Sequence, residues 1–531
     1  VPISYLSAAQ IAALSPETIT NLSATKLATL ASTQVGALSN TALGSLSATQ
    51  VSALTNTAVK GLTATQIPAF APNLIFDATQ LSAFSGGQLN ALTSTQLAKL
   101  DADRLEKLSA AQIGALDATH FTGLNGAQIT ALTTTQVKSL TAAQIGAMST
   151  EDLGEMWPEQ LEVLSPTQLA ALPATLIPAL DDLQFAAIST TQLKGLTATQ
   201  VGSLSLNQLT DLDTDFNVFS AAQLAGLTST QTNALSDTQF KALTATQLGG
   251  LSSSGFAGLS VTKVASMTAT QIGGLSAAQV RTLSSTDFTK LTPTQVAGFT
   301  ASQLAALSTE NFNALSASQV AALTSTQLAG LAATQIGGLT RTDFAELSAT
   351  QFRSLNSSQI GGLSTENLSG LDATVFQALT TTQIGGLTAT QLAGLTTTDM
   401  AEFSTTQVGA LSSAQLGAIS ITDLAALSAT QVTALSTSAL RGLSPYQMRS
   451  FSHAEFSQFT GTQIQALSST QVGSLATSVI ASLTTTQVGY LLPAQIPGLT
   501  VTQLDWLSST SLAAMTPLQV GAFTPTQVAS L

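Results

Sequence analysis

Cysteine is absent and charge nearly so: in 531 residues there are 15 Lys and Arg, 28 Asp and Glu, and two His. Without thiols the chain has neither disulfides nor thiolate metal sites, which fits a reducing compartment or a secreted bacterial-type protein stabilised by repetition. A formal charge of −13, with no basic cluster interleaved with aromatics, excludes a phosphate-tracking groove, so nucleic acid is not an expected partner. The few large aromatics, Trp157, Trp506, Tyr5, Tyr446 and Tyr490, are too dispersed for a stacking platform. No apolar run reaches the length of a membrane span, because Ser, Thr or Gln interrupts the chain every eight residues. His120 and His453 lie 333 residues apart, and no G-x-S-x-G elbow with His and acid partners accompanies them. Neither an enzyme nor a bound cofactor is expected.

What is present is a repeat. From Leu6 the chain runs in 64 complete octads with two shortened units, one of six residues from Phe70 and one of seven from Leu212. Position 1 is usually Leu, position 2 Ser or Thr, position 5 Gln in 43 octads, and position 6 Ile, Val, Leu or Phe. A continuous helix turns about 100° per residue, so eight residues overshoot two turns by about 80° and the apolar stripe would wind off any face. A strand fails too, since apolar spacings of five and three are odd and alternate between faces. Each octad therefore contains its own break.

The residues name that break. Ser or Thr followed three positions later by Gln is a capping box, and the apolar residues at positions 1 and 6 have the spacing of a hydrophobic staple. In "MTATQIGGL", Thr268 is the cap, Gln271 its partner, Met267 and Ile272 the staple, and Gly273 and Gly274 a helix stop in the left-handed region. A single turn is too short to persist alone, so neighbours must supply its packing. The expected fold is all-α: a solenoid or superhelix of capped single-turn helices, one per octad, continuous over 1–531, with register breaks near 70–76 and 212–219. The alternative is a β-solenoid with rows of Thr. Positions 1 and 6 would fill the interior, positions 2 to 5 would face outward or cap, and Gln would join Ser, Thr, Gly and Ala on the surface.

A second period hides in the exceptions to Gln. Gly255, Asp287, Asn311, Asp343, Asn367, Asp399, Asp423, Glu455, Val479 and Ser511 are separated by 32 and 24 residues in strict alternation. The mean, 28 residues, is three and a half octads, which predicts a coil of about 3.5 octads with these residues on one line along it. Duplication of a 56-residue segment would give the same spacing without such a coil.

Asp287, Asn311, Asp343, Asn367, Asp399, Asp423 and Glu455 are thus a candidate partner-facing line; the competing role for its acids is to replace Gln in the capping box, where the helix dipole favours them. Asp211, Asp213 and Asp215 have the opening spacing of a calcium loop, but Phe216 and Ala222 stand where Gly and Glu are needed, which favours a polar kink.

The tract "LAATQIGGLTRTDFAELSATQFRSL" (331–355) resembles the long octapeptide-repeat proteins of bacteria, adhesin-like or matrix-like surface proteins. The resemblance covers essentially the whole chain and implies a secreted, structural, surface-associated role, without transferable site residues. The expectation is an extracellular or bacterial cell-surface protein that assembles with copies of itself, with cell-surface polysaccharide as a further partner. Its ends, "VPISYL" and "TPTQVASL", are ordinary repeat sequence, as expected of a processed chain or a piece of a longer one, and would leave core open for end-to-end stacking. Ice binding through Thr-x-Thr pairs and a passive rigid spacer are the alternative functions.

Overall fold

A computed structural model describes residues 2–73 and 76–530, which fall into two compact units, 1–263 and 264–531. Both are built from short helices, and no strand occurs among the described residues. This removes the β-solenoid.

The octad at 140–147 illustrates the first unit. Thr141, extended at φ −79° and ψ 158°, caps the helix Ala142–Gly146. Its hydroxyl accepts the Gln144 N–H at 3.2 Å, and its own N–H donates to Gln144 Oε1 at 2.7 Å. After Gly146 the chain passes one more helical residue, closes a tight bond from Met148 N–H to the Ile145 carbonyl (3.3 Å), and turns extended into the next cap. Leu140 and Ile145, at positions 1 and 6, are both buried. In the second unit, Leu387 and Leu392 take the same places around the helix Ala389–Ala393. The apolar spacing of five and three thus becomes one inward face, because the two extended residues between helices reset the helical phase.

Within each unit helices pack on the helix three octads away, as Ala142–Gly146 does on Pro166–Ala171 and Ala389–Ala393 on Ser413–Ala418. The register is carried by Gln. Gln144 Nε2 donates to the carbonyls of Ile113 and Leu116, 31 and 28 residues earlier, at 2.8 and 3.0 Å. Gln391 does the same to Ile360 and Leu363, both at 2.8 Å. One side chain therefore sits over the junction between octads three and four back, which sets about 3.5 octads per coil. The 28-residue spacing is a geometric period.

The shortened units leave this rule intact. Past the first, Gln80 reaches Val51 and Leu54, only 29 and 26 residues back. Past the second, Gln223 reaches Leu193 and Leu196, 30 and 27 back. Pairing follows the octads, and the coil contracts to keep it. Of the first break, Leu74 and Ile75 lie outside the described residues; Phe70 and Phe76 flank it with rings edge to face, centroids 4.9 Å apart. The second is the 3-10 helix Asp213–Val218, whose Phe216 meets Phe219 at 5.6 Å.

Two expectations need correction. Position 5 does not face outward: Gln144 is 0% exposed, and most other Gln at this position are buried as well. The glycine pairs are not left-handed stops either, since no described glycine has positive φ and Gly274 sits at φ −82°, ψ −10°. They permit coils to touch: a Cβ on Gly337 would lie 2.2 Å from the Gly362 carbonyl oxygen, and one on Gly362 2.6 Å from that of Ala333.

Ile336 is fully buried and Thr334 is exposed in the same turn. Ile336→Asp should cost about 3–5 kcal/mol, as a buried charge without a partner does, whereas Thr334→Ala should stay within about 0.5 kcal/mol. Thermal unfolding of the two variants measures the difference, and equal tolerance would put the wrong face inside.

Candidate functional site

The polar chemistry of this chain is concentrated at position 5, and most of it is spent between coils. Where another donor replaces Gln, it finds the same carbonyl 28 residues back. Asn367 Nδ2 donates to Leu339 at 2.7 Å, Arg104 Nε to Phe76 at 3.0 Å, and Ser511 Oγ to Leu483 at 3.1 Å. Lys263 Nζ reaches the carbonyls of Thr232, Asn233 and Leu235 at 3.3, 2.5 and 2.7 Å. Burial lowers the Lys263 pKa, with Asp237 opposing it. His120 Nε2 lies 3.1 Å from the Leu92 carbonyl, while Nδ1 lies 2.8 Å from Asp117. The His120 backbone N–H, and then its ring, hold the Asp117 carboxyl below its ordinary range.

The acids on the 24/32 line have no hydrogen to donate. Asp287, Asp343 and Asp399 instead accept the N–H of Ser284, Thr340 and Thr396 at 2.7, 2.8 and 2.7 Å. Asp423 accepts the Ser420 hydroxyl at 2.5 Å, and Glu455 the Ser452 N–H at 2.5 Å. Asn311 donates to Leu283 at 2.8 Å. Asp287, Asp343, Asn367, Asp399 and Asp423 are buried, and Asn311 and Glu455 half-buried. The acids turn to their own helices, whereas Asn311 and Asn367 reach across to the preceding coil. In the second unit their line is a seam along which inter-coil bridges are single or missing. The departure at Val375 has a similar effect: Val375, Leu347, Phe344 and Arg341 line a cavity of about 170 Å³ where the bridge is absent.

Asp211 ends the helix Leu206–Asp211, and Asp215 follows in the 3-10 turn. Together with Asp182 they line a hollow of about 330 Å³, and Asp213 between them has a φ of 38°. Among the described residues no group of three His, Asp or Glu side chains has a metal-holding arrangement. His453 is exposed. No family model and no curated protein matches the chain. The geometry therefore carries the functional reading, and its most repeated polar feature is the bond from position 5 to the preceding coil.

Two features escape the sequence reading: the second arm of Gln, and the hollow beside Trp157. Near the seam a third acid joins Asp399. Glu402 has one carboxylate oxygen without a hydrogen-bond partner, and burial, then the Asp399 and Asp372 charges, raise its pKa.

A raised folded-state pKa stabilises the fold fully below the unfolded value of about 4.3 and is lost as pH rises through the folded value. Glu402→Gln should therefore raise the unfolding midpoint at neutral pH, with the gain vanishing below about pH 4. A pH series of thermal melts checks the sign. For the bridge, Gln144→Glu keeps the cap-facing oxygen and removes both donors, stranding two buried carbonyls at a cost of about 2–4 kcal/mol. Gln377→Glu, at an exposed position 7, should change stability by less than about 0.5 kcal/mol in the same denaturation experiment.

Proposed function

We propose that this chain is an extracellular structural protein of a bacterial surface, which associates with copies of itself into a filament or surface layer. The observation that carries this reading is the range of the position 5 bond. Where Gln stands at position 5 its amide bridges only to the octads three and four before it, so a wall is extended by one local rule. Such a device supplies extent and stiffness and has no need of a singular site.

The outward faces support the same role. Exposed Ser and Thr at positions 2 to 4, as at Thr388 and Thr390, offer hydroxyls at regular intervals on a surface with few charges. Little repulsion opposes contact between copies, although the net negative charge limits dense bundling. Cell-surface polysaccharide, which pairs hydroxyls with hydroxyls, suits this surface as a further partner. The likeness of the repeat to bacterial octapeptide-repeat surface proteins points in the same direction.

The test is the purified chain alone, followed by light scattering and electron microscopy across concentration. Particle mass should rise with concentration and ordered assemblies should appear. Strictly monomeric, monodisperse particles at high concentration would reject self-assembly and favour a passive spacer.

A further inference from the structure

The octad at 156–163 breaks the repeat in a costly way. Position 2, elsewhere a capping Ser, Thr, Asp or Asn in most octads, is Trp157, and the helix Pro158–Glu162 has no side-chain cap. Only the Gln arm remains, with Trp157 N–H donating to Gln160 Oε1 at 2.8 Å. Giving up the cap leaves a helix-start N–H without its side-chain acceptor, and the indole is not used in the core, because Trp157 is 58% exposed. One coil on, Leu183 is 73% exposed at position 4. The two side chains line a hollow of about 310 Å³ with Thr130, Glu155 and Asp181. A local rule broken without structural gain points to a role outside the fold.

The charge around this hollow is one-sided. Between Lys138 and Lys194 the chain has seven acids, Glu151, Asp152, Glu155, Glu159, Glu162, Asp181 and Asp182, and no Lys or Arg. Asp152 is spent on its own cap. Glu155 and Asp181 enter no ion pair among the described residues. One Asp181 oxygen accepts the Gln184 N–H at 2.8 Å, which leaves its second oxygen available. Asp182, next in the chain, lines the second hollow with Asp211 and Asp215.

We infer that this face of the first unit binds an arginine-bearing segment of a partner polypeptide. One guanidinium stacks on the Trp157 indole, with its methylene stem against Leu183 and its N–H groups donating to Glu155 and Asp181. A second basic side chain reaches the hollow of Asp182, Asp211 and Asp215. Arginine fits better than lysine because its planar cation both stacks on an aromatic face and donates in pairs to carboxylates. This partner is separate from self-assembly and from polysaccharide, and the inference stands without either.

The test uses the full chain with Trp506→Phe, which leaves Trp157 as the only tryptophan. Hexa-arginine in physiological salt should change Trp157 fluorescence saturably, and hexa-lysine should bind more weakly. By calorimetry, Glu155→Gln with Asp181→Asn, which keeps a capping side chain, should weaken binding at least about tenfold. Trp157→Ser, which restores the usual cap, should weaken it comparably while the melting temperature holds or rises. Glu310→Gln with Glu366→Gln, two exposed acids of the second unit, should leave affinity unchanged. The inference is overturned if hexa-arginine leaves the fluorescence unchanged, if the Glu310 and Glu366 changes weaken binding equally, or if neutral cellohexaose binds Trp157 as tightly as hexa-arginine.

Discussion

Everything in this fold depends on the two ends of one primary amide. The oxygen of Gln at position 5 accepts the N–H of its own N-cap, and the nitrogen donates to carbonyls one coil below. The first bond closes a helical turn that could not stand alone; the second fixes which turn lies beneath it. Local and long-range order are thereby specified by the same side chain: a hydrocarbon in its place loses both bonds, and an acid keeps the first and loses the second. Hydrophobic burial at positions 1 and 6 supplies most of the driving force but is permissive about register, since Leu, Ile, Val and Phe interchange freely there. The amide supplies the register.

This division explains how the chain tolerates its irregularities. The units shortened near Phe70 and Leu212 leave coils of 26 and 27 residues, yet Gln80 and Gln223 find the carbonyls that the repeat prescribes. It also explains the seam. Asp343 and Asp399 keep the cap and give up the bridge, so one line of the second unit is held by packing more than by hydrogen bonds. The unpartnered carboxylate oxygen of Glu402 and the cavity beside Val375 lie near the same weakened part of the wall. Against so regular a use of position 5 and of the cap, a departure such as Trp157 stands out.

Much of this was legible in the residues. The capping box, the staple and the impossibility of a continuous helix at a period of eight follow from Thr268, Gln271, Met267 and Ile272 alone. The coil of 3.5 octads followed from the spacing of Asp287 through Ser511. The bridge was missed although its signal was present: a capping box accepts Glu as readily as Gln, and an acid suits a helix start better. Yet position 5 is Gln in 43 octads and Glu only at Glu455, a bias that makes sense only if the amide hydrogens are used. The glycines misled because a stop and a close approach favour the same residue, and only the neighbouring coil distinguishes them. The setting of Trp157 could not be read at all, because Leu183 and Asp181 reach it across a coil.

The central claim is that the glutamine side-chain amides bridge the coils. Hydrogen exchange of the side-chain NH2 groups, followed by NMR in protein labelled with 15N only at glutamine, tests it most directly. Gln377 and Gln465 lie exposed and off position 5 and serve as internal references. The account predicts strong protection for position 5 amides such as Gln144, Gln359 and Gln391, with the references exchanging near the free rate. Exchange of the position 5 amides as fast as the references would contradict it.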